Sequence, residues 1–281
     1  MECDNSSVFT NTKEQTDLQN NLQKYLQQQI KAQKIDFASV YFRDLNNGPW
    51  FGINDAELFS PSSLIKIPLM ITYLKLAESD PSLLQKELLN TQAYNPDIQN
   101  FPPDVTLVPN QKYTIEELIR RMIVYSDNLA YDLLNHQIDA QTILKVYNDL
   151  GVDISPANSD PDGNIISVKA YGSFFRILYN SSYLNRDMSE KALKLLSLSK
   201  FTQGIVAGVA KNITVAHKFG ERQYLATGQK QFHDCGIVYL PHQLLECIPL
   251  TSMLQVLIVR LQVALAIAFS LLFAQLVLLL L

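Results

Sequence analysis

Apolar residues recur at helical spacing through Leu18, Leu22, Tyr25, Leu26 and Ile30 in an otherwise glutamine-rich stretch, so residues 15–34 read as an amphipathic helix with one face packed on a core. Two runs rich in β-branched and aromatic residues follow, Asp36–Leu45 and Pro49–Asn54. They are joined through Asn46-Asn47-Gly48, whose residue types suit the tight turn of a hairpin. From Leu64 to about Ser199 helical patterns dominate. One helix start is well marked: Thr114 and Glu117 form a capping-box pair, with Tyr113 and Leu118 placed to staple it, and the helix should end near Tyr125. Strand patterns return at Thr214–Lys218, Gln231–Leu240 and roughly Leu244–Ile248.

The order strands, long helical insert, strands predicts an α/β (α+β) three-layer sandwich. A five-stranded antiparallel sheet would carry the terminal helices on one face and a mainly helical subdomain on the other. The expected divisions are a polar tail over 1–14, a sheet subdomain from 15–62 and 200–250, a helical subdomain over 63–199, and an apolar tail over 251–281. That tail is unusual. Val263–Leu281 runs 19 residues without a charge, about 28 Å as a helix at ~1.5 Å per residue and so near the thickness of a bilayer core. A membrane segment through 254–281, a buried oligomer helix and an altered reading frame in the source gene all fit it. Met1–Glu14 lacks the basic and apolar regions of a cleavable export signal.

The 281 residues are 47% apolar and 18% charged, ordinary usage for a globular chain. Lys and Arg total 23 against 27 Asp and Glu, a formal charge of −4 spread along the chain, so nucleic acid is not an expected partner. Three cysteines and four histidines show neither CxxC nor HExxH spacing, and no metal or other cofactor is expected. Cys235 and Cys247 fit one bridge or, the better reading, two buried thiols on neighbouring strands.

Three short motifs carry candidate chemistry. Ser63-Leu64-Ile65-Lys66 opens an apolar helix after the Pro61-Ser62 turn, which sets an amine one turn from a hydroxyl on the same face. A serine attacks only when a neighbouring base takes its proton, and lysine is such a base only when its pKa is lowered. Alone, the pattern also fits a helix cap and a solvated lysine. A second SxxK, Ser197–Lys200, reads as the surface end of a helix. Tyr125-Ser126-Asp127-Asn128 falls at a corner between helices, where short polar side chains either cap a turn or project into a cleft. His217-Lys218-Phe219-Gly220 closes a strand with a second cation and a glycine that permits close backbone approach.

SxxK, SDN and KxG in that order resemble the signature of the penicillin-recognising serine enzymes, the class A β-lactamases and D-alanyl-D-alanine peptidases. The flanks Phe59–Leu69, Tyr113–Ala130 and Phe232–Val238 are similar as well, and the likeness runs from about residue 16 to 247. The resemblance implies that Ser63 is acylated, Lys66 takes its proton and Ser126 returns one to the departing nitrogen. It implies that Asn128 binds the substrate amide, that Lys218 offers positive potential to a substrate carboxylate, and that the backbone N–H groups of Ser63 and Glu221 form an oxyanion hole. The implied activity is amide hydrolysis through an acyl-enzyme, on a β-lactam or a peptidoglycan-type peptide. A slowly deacylating peptidase-like penicillin-binding protein and a non-catalytic binder of cell-wall fragments are the alternatives. An extracytoplasmic location goes with the family, and Cys3-Asp4-Asn5-Ser6 looks like the mature start of a lipid-anchored protein.

The chain also departs from that pattern. The glutamate and asparagine that hold the deacylating water in class A enzymes are not found between Leu150 and Val168, a stretch shorter than the family's loop and without glutamate; Asp153, Asp160 or Asp162 could stand in, though Asp-Pro-Asp-Gly suits a solvated turn. Phe219 stands where the family usually has a hydroxyl facing the substrate carboxylate, which weakens the expected recognition of that group and reshapes the pocket floor around Gly220.

Overall fold

A computed structural model describes residues 13–45, 49–95, 101–152, 154, 163–224, 228–240 and 254–263. The first helix, α1 (Lys13–Lys31), buries Leu22 and Leu26 and half-buries Leu18 and Tyr25, while Ile30 at its end is 39% exposed. Strands β1 (Phe37–Asp44) and β2 (Trp50–Ile53) pair antiparallel. The Asn46–Gly48 turn expected between them lies outside the described residues. After the short β3 (Leu58–Phe59), a 3-10 turn over Ser62–Ile65 runs straight into α2 (Lys66–Ser79).

Strands β4 (Glu87–Asn90) and β5 (Gln111–Thr114) form a small ribbon within the otherwise helical insert. It leads into α3 (Ile115–Val124), α4 (Asn128–Asn135) and α5 (Ala140–Asp149). The Thr114 hydroxyl accepts from the Glu117 N–H at 3.2 Å, as the sequence suggests. The reciprocal half of that capping box is replaced by ion pairs from the Glu117 carboxylate to Arg120 and Arg121. Short β6 (Ile166–Ser167) pairs with β3, and α6 (Val168–Asn180) and α7 (Arg186–Ser197) complete the insert. Ser197 sits at the end of α7 and, among the described residues, its hydroxyl donates only to the Lys194 carbonyl, so the second SxxK is a helix end.

The chain then returns through β7 (Thr214–Gln223), β8 (Lys230–Tyr239) and β9 (Leu254–Val263), giving a five-stranded antiparallel sheet in the order β2-β1-β9-β8-β7. The fifth strand is not the one expected. Residues 244–248, with Cys247, lie outside the described residues, and Leu254–Val263, expected to begin an apolar tail, forms the middle of the sheet. The error has a physical origin. Leu254–Val263 carries Gln255, Arg260 and Gln262 among apolar residues without a clean period of two, so pattern alone does not mark it as a strand. Among the described residues, no helix is long and apolar enough to cross a membrane. Residues 264–281 are not described.

Side chains of the sheet feed two cores. Ala38, Val40, Phe42, Phe51 and Phe232 pack with Leu22 and Leu26 of α1. Tyr41, Ala216, Cys235 and Ile237 join the larger core of the helical layer, built around Ile67, Met70, Tyr73, Leu118, Met122, Tyr171 and Phe174. Cys235 is a free, fully buried thiol. Strand β7 is the outer strand of the sheet, which leaves one of its edges to face the turn that carries Ser63.

Candidate active site

Ser63 lies inside the 3-10 turn and is half-buried, and Lys66, the first residue of α2, is 1% exposed. Ser62, just before the serine, has φ +49°, a left-handed conformation uncommon outside glycine. Buried contacts hold this turn from behind. The Tyr171 hydroxyl donates to the Leu64 carbonyl at 2.8 Å, the Ile165 N–H donates to the Phe59 carbonyl at 3.0 Å, and Arg222 of β7 donates to the Ser60 hydroxyl at 2.7 Å.

The α3–α4 corner supplies the facing wall. Asp127, fully buried, caps α4 by accepting the N–H groups of Leu129 and Ala130 at 2.8 and 3.2 Å. Burial raises its pKa despite those bonds. The cap fixes the residues on either side: Ser126 is held at φ +57° and Asn128 becomes the first residue of the helix. Two strained residues thus flank one cleft, a concentration common at functional sites.

Lys66 joins the two walls. Its Nζ lies 3.1 Å from Ser63 Oγ, 3.2 Å from Ser126 Oγ, 2.7 Å from the Ser126 carbonyl and 2.6 Å from Asn128 Oδ1. Burial pushes its pKa down to about 7, against the opposing pull of Asp127 and Asp132. Lys218 of β7, with no exposed surface, donates to Ser126 Oγ at 2.8 Å and to the Phe219 carbonyl at 2.9 Å. Burial, and then the Lys66 charge, hold Lys218 well below the ordinary lysine range.

Gly220 shows why β7 can come this close. A Cβ there would sit 3.0 Å from the Pro61 carbonyl oxygen and 3.4 Å from the Leu64 nitrogen, so the strand abuts the Ser63 turn backbone to backbone. Glu221 follows directly, and its carboxylate accepts the Phe101 N–H at 3.2 Å. The structure therefore brings Ser63, Lys66, Ser126, Asn128 and Lys218 into one hydrogen-bonded cluster, with Gly220 and Glu221 on the adjoining edge of β7.

Here the fold and motifs meet the known proteins. The sequence pattern of the beta-lactamase enzyme family matches residues 20–247. The chain belongs to that family. It has the fold of a class A enzyme from Mycobacterium abscessus (TM-score 0.74, 20% identity, covering 94% of this chain and 97% of that one). It is also similar to the TLA-1 extended-spectrum beta-lactamase (TM-score 0.75, 16% identity, 94% and 97% covered). A mutant of PBP-A, solved as an acyl-enzyme complex with penicillin G, gives a TM-score of 0.71 at 21% identity, over 93% of this chain and 95% of that one. No curated protein sequence matches the chain. Family and fold make this beta-lactamase relative a serine hydrolase of the β-lactamase type.

Several contributors to the site escape a sequence reading. His217 and Asp234 form a fully buried pair, with Nδ1 2.8 Å from Oδ1, and Asp234 also accepts the Ile205 N–H at 2.8 Å, which anchors β7 beside Lys218. The signal was a buried-type histidine in a strand, which no local motif distinguishes from a core residue. Tyr171 is distant in sequence from the turn it supports and left no signal. Asn164 is 9% exposed on the segment entering β6, one residue before Ile165 bonds Phe59. Asp153, Asp160 and Asp162 lie outside the described residues.

Proposed function

We propose that this enzyme acylates itself at Ser63 with a β-lactam or a peptidoglycan-type amide and hydrolyses the ester. The observation that carries the reading is the position of Lys66 Nζ, within hydrogen-bond reach of both Ser63 Oγ and Ser126 Oγ, with a pKa near 7. A neutral lysine has two N–H donors and one lone pair. The two shortest contacts are to carbonyl oxygens, of Ser126 and Asn128, which only accept, so they take the N–H groups. The lone pair is then left for the Ser63 hydroxyl proton, and the freed oxygen attacks the carbonyl carbon.

Ser126 serves the second half of acylation. Its oxygen accepts from Lys218 and lies within reach of Lys66, which sets its O–H as the donor toward a departing nitrogen. Lys66 then replaces that proton. Asn128 keeps its amide N–H groups for a substrate carbonyl while its oxygen holds Lys66. The N–H groups of Ser63 and Glu221 receive the developing oxyanion across the close approach of Gly220 to Pro61, a stabilisation of about 3–4 kcal/mol for each such donor. Cell-wall peptides are met outside the cytoplasm, and we place the enzyme there.

Time-resolved intact-protein mass spectrometry with excess penicillin tests this. Return to the free mass with consumed penicillin is expected of a working hydrolase. A persistent adduct on wild type and none on Ser63→Ala would confirm the nucleophile and assign a slowly deacylating, peptidase-like protein. No adduct and no consumption by folded protein would overturn the reading and leave a binding module.

A further inference from the structure

Ser63, Lys66 and Ser126 account for acylation, and attack of water on the resulting ester needs a base of its own. Lys66 is committed elsewhere at that stage. Its two N–H groups stay on the carbonyl oxygens of Ser126 and Asn128, and its remaining position faces Ser63 Oγ, by then the ester oxygen. Among the described residues, two carboxylates act on the Lys66 charge, those of Asp127 and Asp132. Asp127 has no exposed surface and spends Oδ1 on the cap of α4, so water does not reach it.

Asp132 differs in both respects. It is half-buried, and among the described residues its carboxylate makes no hydrogen bond. It stands four residues after Asn128 on α4, a spacing that puts the two side chains on one face of the helix with Cβ atoms about 6 Å apart. Asn128 fixes where that face points, because its Oδ1 is 2.6 Å from Lys66 Nζ. Burial raises the pKa of Asp132, against the opposing pull of His136 and Lys66. The titratable groups that face it among the described residues are Lys66 on α2, His136 one turn along α4, and the Tyr131 hydroxyl.

From this placement we propose that Asp132 is the base that delivers water to the Ser63 ester. This deepens the acyl-transfer reading and rests on it. The water oxygen bonds the acyl carbon as one of its protons passes to the Asp132 carboxylate. The bond from that carbon to Ser63 Oγ then breaks, and the proton returns through Lys66 to Ser63, which leaves a free acid and the starting enzyme. Lys66, within reach of Ser63 Oγ and under the charge of Asp132, joins the two ends of that path.

Single-turnover kinetics with penicillin, read by intact-protein mass spectrometry, separate formation of the adduct from its loss. Wild type should clear its adduct, and Asp132→Asn should hold it on Ser63 at least about a hundredfold longer, the lower end of what a positioned base contributes. Asp132→Glu, which keeps the carboxylate, should recover part of that loss. Hydroxylamine attacks an ester without a protein base, so the hydroxylamine-dependent part of adduct loss should be equal in Asp132→Asn and wild type. In wild type, deacylation should fall only at a lower pH than acylation, which follows Lys66. An Asp132→Asn adduct that clears at wild-type speed, one that resists hydroxylamine as well, a shared pH limb for both steps, or a wild-type adduct that never clears overturns this inference alone. No adduct and no consumption by folded protein overturn it together with the proposed function.

Discussion

Gly220 approaches the carbonyl oxygen of Pro61 so closely that a methyl group added to it would lie 3.0 Å from that atom. Backbone meets backbone there, and neither side can yield by rotating a side chain. Gly220→Ala should push β7 off the Ser63 turn and slow acylation by about 10- to 100-fold, because small misplacements of reacting groups are costly. Single-turnover acylation rates and a thermal melt on the same protein check this. A normal rate in a folded variant would contradict the role given to the close approach.

Lys66 accepts a proton only when neutral. With its pKa pushed down to about 7 by burial, acylation should be slow at acid pH, rise through about pH 7 and then level, since below that point the ammonium has no lone pair for Ser63. Lys66→Arg should lose at least about a thousandfold at every pH, as a guanidinium keeps its proton. The pH profile of the single-turnover rate reads both.

Asp127 caps α4 and fixes the strained Ser126 at once. Asp127→Ala should cost about 1–2 kcal/mol, or some 3–6 °C in Tm, and slow acylation through Ser126. Asp127→Asn, which keeps the accepting oxygen, should recover most of both.

The Tyr171 hydroxyl reaches across to the Leu64 carbonyl from a fully buried ring. Tyr171→Phe removes one donor from a carbonyl that also accepts the Lys66 backbone N–H, a loss of about 0.5–1.5 kcal/mol, and should lower Tm while changing the rate far less than Gly220→Ala does. Denaturant unfolding beside acylation kinetics separates the two effects.

A chain ending at residue 253 lacks β9 and so loses the strand that pairs with both β1 and β8. It should show no cooperative melt and no labelling of Ser63. Native-like circular dichroism from that shortened chain would contradict the sheet order.

Local features of this enzyme were legible in its sequence. SxxK places two side chains on one turn, SDN sits where a helix must stop, and KxG ends in a residue with no Cβ; each declares its geometry within a few positions. The contacts that complete the site join distant segments: Tyr171 to Leu64, Arg222 to Ser60, Asp234 to His217 and Phe101 to Glu221. No periodicity encodes those. Phe219 marks the boundary between the two cases. Its departure from the family pattern was visible, while the ring wall it builds with Phe101 and Phe201 appears only when the three segments meet.

The position of β9 bears on how the protein is made. Synthesis delivers β1 and β2 early and β7 and β8 late, yet the two hairpins have no edge in common, because the last of the five strands divides them. A nascent chain on the ribosome therefore holds two unjoined halves of a sheet until Val263 is clear of the exit tunnel. Those open edges are where other chains can add, and a cell starved of folding assistance should lose this protein to aggregation before its synthesis ends rather than after.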